Sequence, residues 1–246
     1  MSERVDEPDL TAAREYALAR LMTELPRELH YHSPWHTQSE VAPRALWLAQ
    51  REGLSPTAQT LISTAAFFHD IGFTETSAGH ERAGARIAGQ VLPTLGYART
   101  QIRIIQDIIL ATRIPQTPRT LLAQIVADAD LDVLGREDFL VRNQALRREL
   151  AAVGATCTDV TWYAQQLQFF DQHHYFTKSA RRDRATGKGR NRATLRQIIA
   201  DCCPRLLQTP TCQPRLHGLA VPGGLSTPSP TSPFRDFGLV LSPSLR

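Results

Sequence analysis

An apolar helical segment that ends in a histidine and an aspartate constrains this chain more than any other feature. Leu61, Ile62, Ala65 and Phe68 recur at the spacing of one helix face, and His69 and Asp70 follow directly. A carboxylate in such a place is costly without a partner, because desolvating a charge costs several kcal/mol. The fold therefore has to bring positive charge to Asp70. A bound cation does this, and imidazole together with carboxylate suits Zn, Mn, Fe or Co. Adjacent helical residues diverge by about 100°. At a helix end, however, both side chains can turn toward one ion lying just beyond it.

Helix signals repeat on either side of this segment. Ser55-Pro56 and Thr117-Pro118 each set a capping hydroxyl before a proline, which predicts helices opening at those prolines. Ser77 reads as the cap of another helix, with Ala83, Ile87 and Val91 on one face. Thr100 reads as the start of a further one, with Ile102, Ile105 and Ile109 aligned. Ile104 and Ile108 widen that face, which predicts a central, deeply buried helix. Gly135 and Gly154 suit helix ends. Pro43 falls inside the helix expected after His36, so that helix starts late or kinks there. No alternating strand pattern bounded by turn residues occurs. The expected fold is all-α, a compact multi-helix bundle. Residues 1–27 read as an N-terminal helical extension and residues 28–200 as the main domain. Residues 201–246 read as a disordered tail, since Pro204, Pro210, Pro214, Pro222, Pro228, Pro230, Pro233 and Pro243 recur among serine, threonine and glycine.

With 246 residues, 42% of them hydrophobic, the chain can bury one substantial core. It contains no run of 18 apolar residues of the kind that spans a bilayer, and its first residues are acidic and polar rather than those of a secretory signal. A cytoplasmic protein is expected. Cys157, Cys202, Cys203 and Cys212 form no CxxC pair and read as free thiols, and a zinc site from the last three with His217 fits no standard finger spacing. The net charge of +4 is concentrated between Lys178 and Arg196. A solvated helix end and loop is the preferred reading of that stretch. Nucleic-acid contact is an alternative, and a third is that Lys178 or Arg182 reaches over a site to hold a phosphate.

Further suppliers of metal ligands lie on other segments. His36 precedes a face of Val41, Ala45 and Ala49, and Asp128, Asp130 and Asp132 punctuate the apolar run Ile125 to Leu134. Asp128 and Asp132 lie four apart and Asp130 points elsewhere, so Asp130 and Asp128 are rival ligands. His32, four residues before His36, reads as a buttress for it. His173 and His174 read as polar residues at a helix end, and Trp162, Phe169 and Phe170 as core.

The order His, His-Asp, Asp on successive helices resembles the HD superfamily of metal-dependent phosphohydrolases, and most closely one bacterial branch of it. The likeness runs through Tyr31-His32 and His36-Thr37, Phe68-His69-Asp70-Ile71-Gly72-Phe73, Gly79-His80-Glu81, Ile109-Leu110-Ala111-Thr112, Asp128-Ala129-Asp130-Leu131-Asp132 and Tyr175-Phe176-Thr177-Lys178, roughly residues 28 to 190. The resemblance implies that His36, His69, Asp70 and Asp130 hold a divalent transition metal. It also implies that Asp70 faces any second metal or positions the attacking water, and that water activated by the metal attacks phosphorus. His80 and Glu81 are the candidates for acid–base work beside it, and Lys178 and Arg182 for gripping phosphate. Thr112 stands where two-metal members carry an extra histidine, which favours a single-metal site. The expected activity is hydrolysis of a phosphate ester of a nucleotide or related small molecule, with neither nucleic acid nor membrane as partner. The rival is a non-catalytic HD module that binds a nucleotide and signals.

Overall fold

The structure, a computed structural model, describes residues 7–202, and among these it contains helices and turns but no strand. Nine α-helices follow in order: α1 (Leu10–Glu24), α2 (Ala42–Arg51), α3 (Pro56–Phe68), α4 (His80–Val91), α5 (Arg99–Leu110), α6 (Leu121–Asp130), α7 (Phe139–Ala152), α8 (Asp159–Gln172) and α9 (Lys178–Cys202). The expected tail from Pro204 and the cysteines beyond Cys202 lie outside the described residues. None of the described helices is long and apolar enough to cross a membrane.

Local signals explain some helix starts and correct others. Ser55 caps α3 as expected, its side chain accepting from Ala58 N with Pro56 in the first turn. The helix expected at Pro118 opens three residues later: α6 starts at Leu121, and the hydroxyl of Thr120, not Thr117, accepts from Ala123 N. Likewise α4 is preceded not by Ser77 but by Gly79 at φ 70°, a left-handed conformation natural to glycine. Thr100 lies inside α5, whose first residue is Arg99. Ile102, Ile105, Ile108 and Ile109 of α5 are buried, but Ile104 is 40% exposed, so α5 is amphipathic rather than enclosed on all sides.

The residues after His36 resolve the Pro43 question. His36–Val41 form a turn of π-helix, in which Ala42 N bonds back to Thr37 O, and α2 then continues with Pro43 in its first turn, where no amide donor is needed.

Two packed layers result. The larger core joins α1 through α6, with Ala13, Leu48, Ile62, Phe68, Ile87 and Ile109 among its buried members. A second cluster joins α7, α8 and α9 to the segment after α6, through Val133, Leu134, Phe139, Phe170 and Leu195. Trp162 and Phe170 are core residues, and Phe169 packs, partly buried, against the cluster that holds Phe170. The basic stretch is not a loop: it is continuous helix in α9, and several of its cations are engaged. Arg184 grips Asp132 through two nitrogens at 2.8 and 2.9 Å, Arg192 pairs with Asp171, and Lys188 donates to His173 O. Gly187 lets α9 approach closely, since a Cβ there would come within 2.0 Å of the Gly135 carbonyl oxygen.

Candidate metal centre

Three helix ends, two of them fully buried, converge at the junction of the two layers. His36 opens the π-turn, His69 caps the C-terminus of α3, and Asp130 is the last residue of α6. Each offers one ligand atom, and these atoms all lie within 4.8 Å of one another. His36 Nε2 is 3.3 Å from Asp130 Oδ1, and His69 Nε2 is 3.5 Å from it. Asp70 completes the group: its Oδ2 is 3.1 Å from His69 Nε2 and 3.9 Å from His36 Nε2, while its Oδ1 is 3.8 Å from His80 Nε2.

The second nitrogen of each ring fixes which atom faces the cluster. His36 Nδ1 lies 2.9 Å from Glu40 Oε2, and His69 Nδ1 lies 2.7 Å from the Ala66 carbonyl oxygen. Both partners accept only, so both Nδ1 atoms carry the proton, and Nε2 is presented inward in each case. This is the arrangement in which metal-binding imidazoles are held by an outer carboxylate or carbonyl. Glu40 is itself clamped by Arg136 at 2.8 Å and Arg142 at 2.9 Å.

The acids and imidazoles of the cluster hold one another in their charged forms. Burial opposes a charged imidazole at His69, but the carboxylates of Asp70 and Asp130 outweigh it and hold the ring well above the ordinary histidine range. Burial likewise works to raise both acids, and the surrounding histidines overcome it: Asp130 is lowered to about 2, and Asp70 is lowered too, chiefly by His69. Meanwhile His69 Nε2 and Asp70 Oδ2 are both buried and face each other at 3.1 Å without making a hydrogen bond. Buried polar atoms are ordinarily satisfied, and a divalent ion would satisfy these two at once. The donor set of two imidazoles and two carboxylates fits a transition metal.

The remaining candidates divide clearly. His80 sits at the start of α4 with Nδ1 held 3.2 Å from Ser77 O and Nε2 toward Asp70. Glycine at position 72 permits this, because a Cβ there would lie 1.9 Å from the His80 carbonyl oxygen. Burial pushes the His80 ring below its ordinary value, against the pull of Asp70 and Glu81. Glu81 is buried, with an oxygen 3.7 Å from His80 Nε2. Asp128, the rival of Asp130, points the other way: it accepts from Phe176 N, Thr177 N and Thr177 Oγ1 at 2.7 to 2.8 Å and anchors the chain entering α9. Thr112 is buried and bonds back to Ile109 O, closing α5. Lys178 and Arg182 are exposed on α9, and neither side chain bonds to the cluster among the described residues.

His32 does not buttress His36. Its Nδ1 pairs with Glu149 of α7, whose other oxygen also accepts from Tyr31 N and His32 N at 2.8 and 3.0 Å. Phe73 lies between the rings of His32 and His80, with centroids 4.5 and 3.8 Å away. Glu40 and Glu149 were both missed in the sequence. Glu40 had a signal, since four residues after His36 it shares a helical face with it. Glu149 had none, being 117 residues away from His32.

Comparison with known proteins agrees with this fold. The model of the HD domain matches residues 39–132, from the π-turn to just past Asp130. Solved structures of like fold include a predicted HD superfamily hydrolase from an uncultured Thermotogales bacterium (19% identity over 79% of this chain and 94% of the other, TM-score 0.55). Bacillus subtilis YpgQ, solved in complex with ADP, aligns at 20% identity over 80% of this chain and 96% of its own, with a TM-score of 0.57. A Lactobacillus plantarum protein aligns at 20% over 82% and 99%, with a TM-score of 0.61. No curated protein matches the chain.

Proposed function

We propose that this chain, whose residues 39–132 match the HD domain, is a metal-dependent phosphohydrolase acting on a phosphate ester of a nucleotide or related small molecule. One observation carries the reading: two imidazoles whose outer nitrogens are already bonded turn Nε2 toward Asp130 and Asp70, and the facing atoms His69 Nε2 and Asp70 Oδ2 have no hydrogen-bond partner. A divalent ion bound by His36, His69, Asp70 and Asp130 would supply Lewis-acid activation of water and neutralise phosphoryl charge.

The chain's own residues then divide the work. Asp70 has one oxygen toward the ligand histidines and the other toward His80, which suits a carboxylate that both holds the ion and orients the attacking water. His80, kept neutral by burial, is placed to exchange a proton with that water or with the leaving group, and Glu81 is placed to orient His80. Glu40, braced by two arginines, keeps His36 in its ligating tautomer. Lys178 and Arg182 are proposed to meet the substrate phosphates from α9. The ADP held by the Bacillus subtilis protein of like fold supports a nucleotide as the substrate. The test is elemental analysis of the purified protein followed by phosphate release across nucleotides and simple phosphoesters in Mn or Co. About one ion per chain and metal-dependent release are expected. Binding of nucleotide with no release from any substrate would leave the signalling module instead.

A further inference from the structure

A small pocket of about 90 Å³ adjoins the candidate metal centre. Asp130 and His32 form its wall on the metal side, and Leu134, Phe139 and Phe169 make much of the rest apolar. Asn143 of α7 and Gln166 of α8, both 3% exposed, also line it. Their amide orientations follow from one group that can only donate. Trp162 Nε1 donates to Asn143 Oδ1 at 2.7 Å. Asn143 therefore turns its Nδ2 toward Gln166, whose Oε1 accepts at 2.7 Å. The chain of bonds ends at Gln166 Nε2, which is buried and has no hydrogen-bond partner among the described residues. A flipped Gln166 would set two donors against each other, so the free group is a donor. Buried donors left unpaired are rare and costly.

We propose that this pocket seats the organic part of the substrate, and that Gln166 determines specificity by donating through Nε2 to an acceptor atom on a planar, mostly apolar ring, as a nucleobase presents. This rests on the phosphohydrolase reading and adds to it which part of the molecule is recognised and by what. Pockets for whole small ligands are typically about 300–1,000 Å³, so a space of this size takes one ring system while the phosphate lies outside it at the His/Asp cluster. Asp130, shared by both sites, joins ring recognition to the reacting end.

The experiment uses the full-length protein loaded with Mn, with calorimetric binding of AMP, CMP and ribose 5-phosphate and phosphate release from each. Wild type is expected to bind at least one of the two nucleotides about tenfold more tightly than ribose 5-phosphate, which lacks the ring. Gln166→Glu keeps the acceptor for Asn143 but replaces the free donor with an acceptor. It should erase that preference and leave ribose 5-phosphate within about twofold of wild type. Gln166→Met should act in the same direction, and it decides the matter if the glutamate variant fails to fold by circular dichroism. Equal wild-type affinity for nucleotide and ribose 5-phosphate, no binding of any of the three, or a preference that survives in the folded variants would each overturn the proposal. Failure of the phosphohydrolase reading looks different: the ring preference and its dependence on Gln166 would persist while no phosphate is released from any compound.

Discussion

The two layers of this protein treat buried carboxylates in opposite ways. Where α7, α8 and α9 pack, the buried carboxylates are matched. Asp128 accepts three bonds, Asp132 is held by Arg44 at 2.6 Å and by Arg184, Glu149 takes His32 and two backbone amides, and Trp162 begins a chain through Asn143. Where α3, α6 and the π-turn meet, two acids and two imidazole nitrogens crowd within a few ångströms, and two of these atoms have no partner. A buried charge is tolerated when it is paired or coordinates a metal. The first region meets that condition internally, so its polar groups are architectural. The second would meet it fully with an added ion, which is what marks it as a candidate binding site. Gln166 Nε2, the unmatched end of the Trp162–Asn143 chain, follows the same logic inside the layer whose carboxylates are matched.

If this contrast holds, substitutions in the two regions will move different observables, and the largest effect belongs to the ligand histidine. His69→Ala should carry far less than the wild-type one divalent ion per chain and should lose turnover entirely. Equal metal content in the two proteins would end the distinction drawn here. Asp70→Asn is the next largest. An amide cannot accept a proton, so saturating Mn or Co should not rescue it, and turnover should fall at least about a hundredfold, the scale of removing a positioned acid–base group. Nucleotide binding measured by calorimetry should persist. Normal turnover in Asp70→Asn would show that the site has been wrongly assigned.

The complementary substitution is Asp128→Ala. It strips three acceptor contacts from the entry to α9. Leaving buried donors unpaired should lower stability by about 2 kcal/mol, read as a drop in denaturation midpoint. Metal content per folded chain should remain that of wild type, and a loss of metal here would place Asp128 in the site after all.

How much of this was legible in the sequence depends on the range of the interaction. Ser55-Pro56 was readable because a cap is satisfied within its own turn. Thr117-Pro118 offers the same dipeptide chemistry yet does not start a helix, since Thr120 competes three residues later and its hydroxyl is the one that meets a free amide. The candidate set His36, His69-Asp70, Asp130 could be picked out because buried acids on apolar helices need an explanation, and a family resemblance supplied one; the fold brings these residues together. Periodicity alone left Asp128 and Asp130 as rivals, and only the position of α9 separates them. The partners of His32 and Gln166 could not be read at all, because both depend on how α7 and α8 lie against the chain, and no local pattern encodes that.

The smallest effect tests whether the matched layer is matched by charge or merely by hydrogen bonding. Burial opposes the charged form of His32, but Glu149 overcomes it and raises the ring above its ordinary value of 6.5. Burial works to raise Glu149, yet His32 and two backbone amides bring it below its ordinary value of 4.5. The two directions agree on an ion pair. A raised histidine contributes stability that is fully present below 6.5 and lost as pH rises through its folded value. A lowered glutamate contributes stability present above 4.5 and lost as pH falls through its folded value. The pair is therefore worth most between about pH 4.5 and 6.5. Glu149→Gln keeps an acceptor for the amides and removes only the charge. His32 is partly exposed, so the cost should be about 1 kcal/mol at pH 5.5, and it should shrink above pH 8. Thermal melts of both proteins at the two pH values measure it. A difference that does not change with pH would mean that His32 is neutral and that Glu149 serves as a hydrogen-bond acceptor alone.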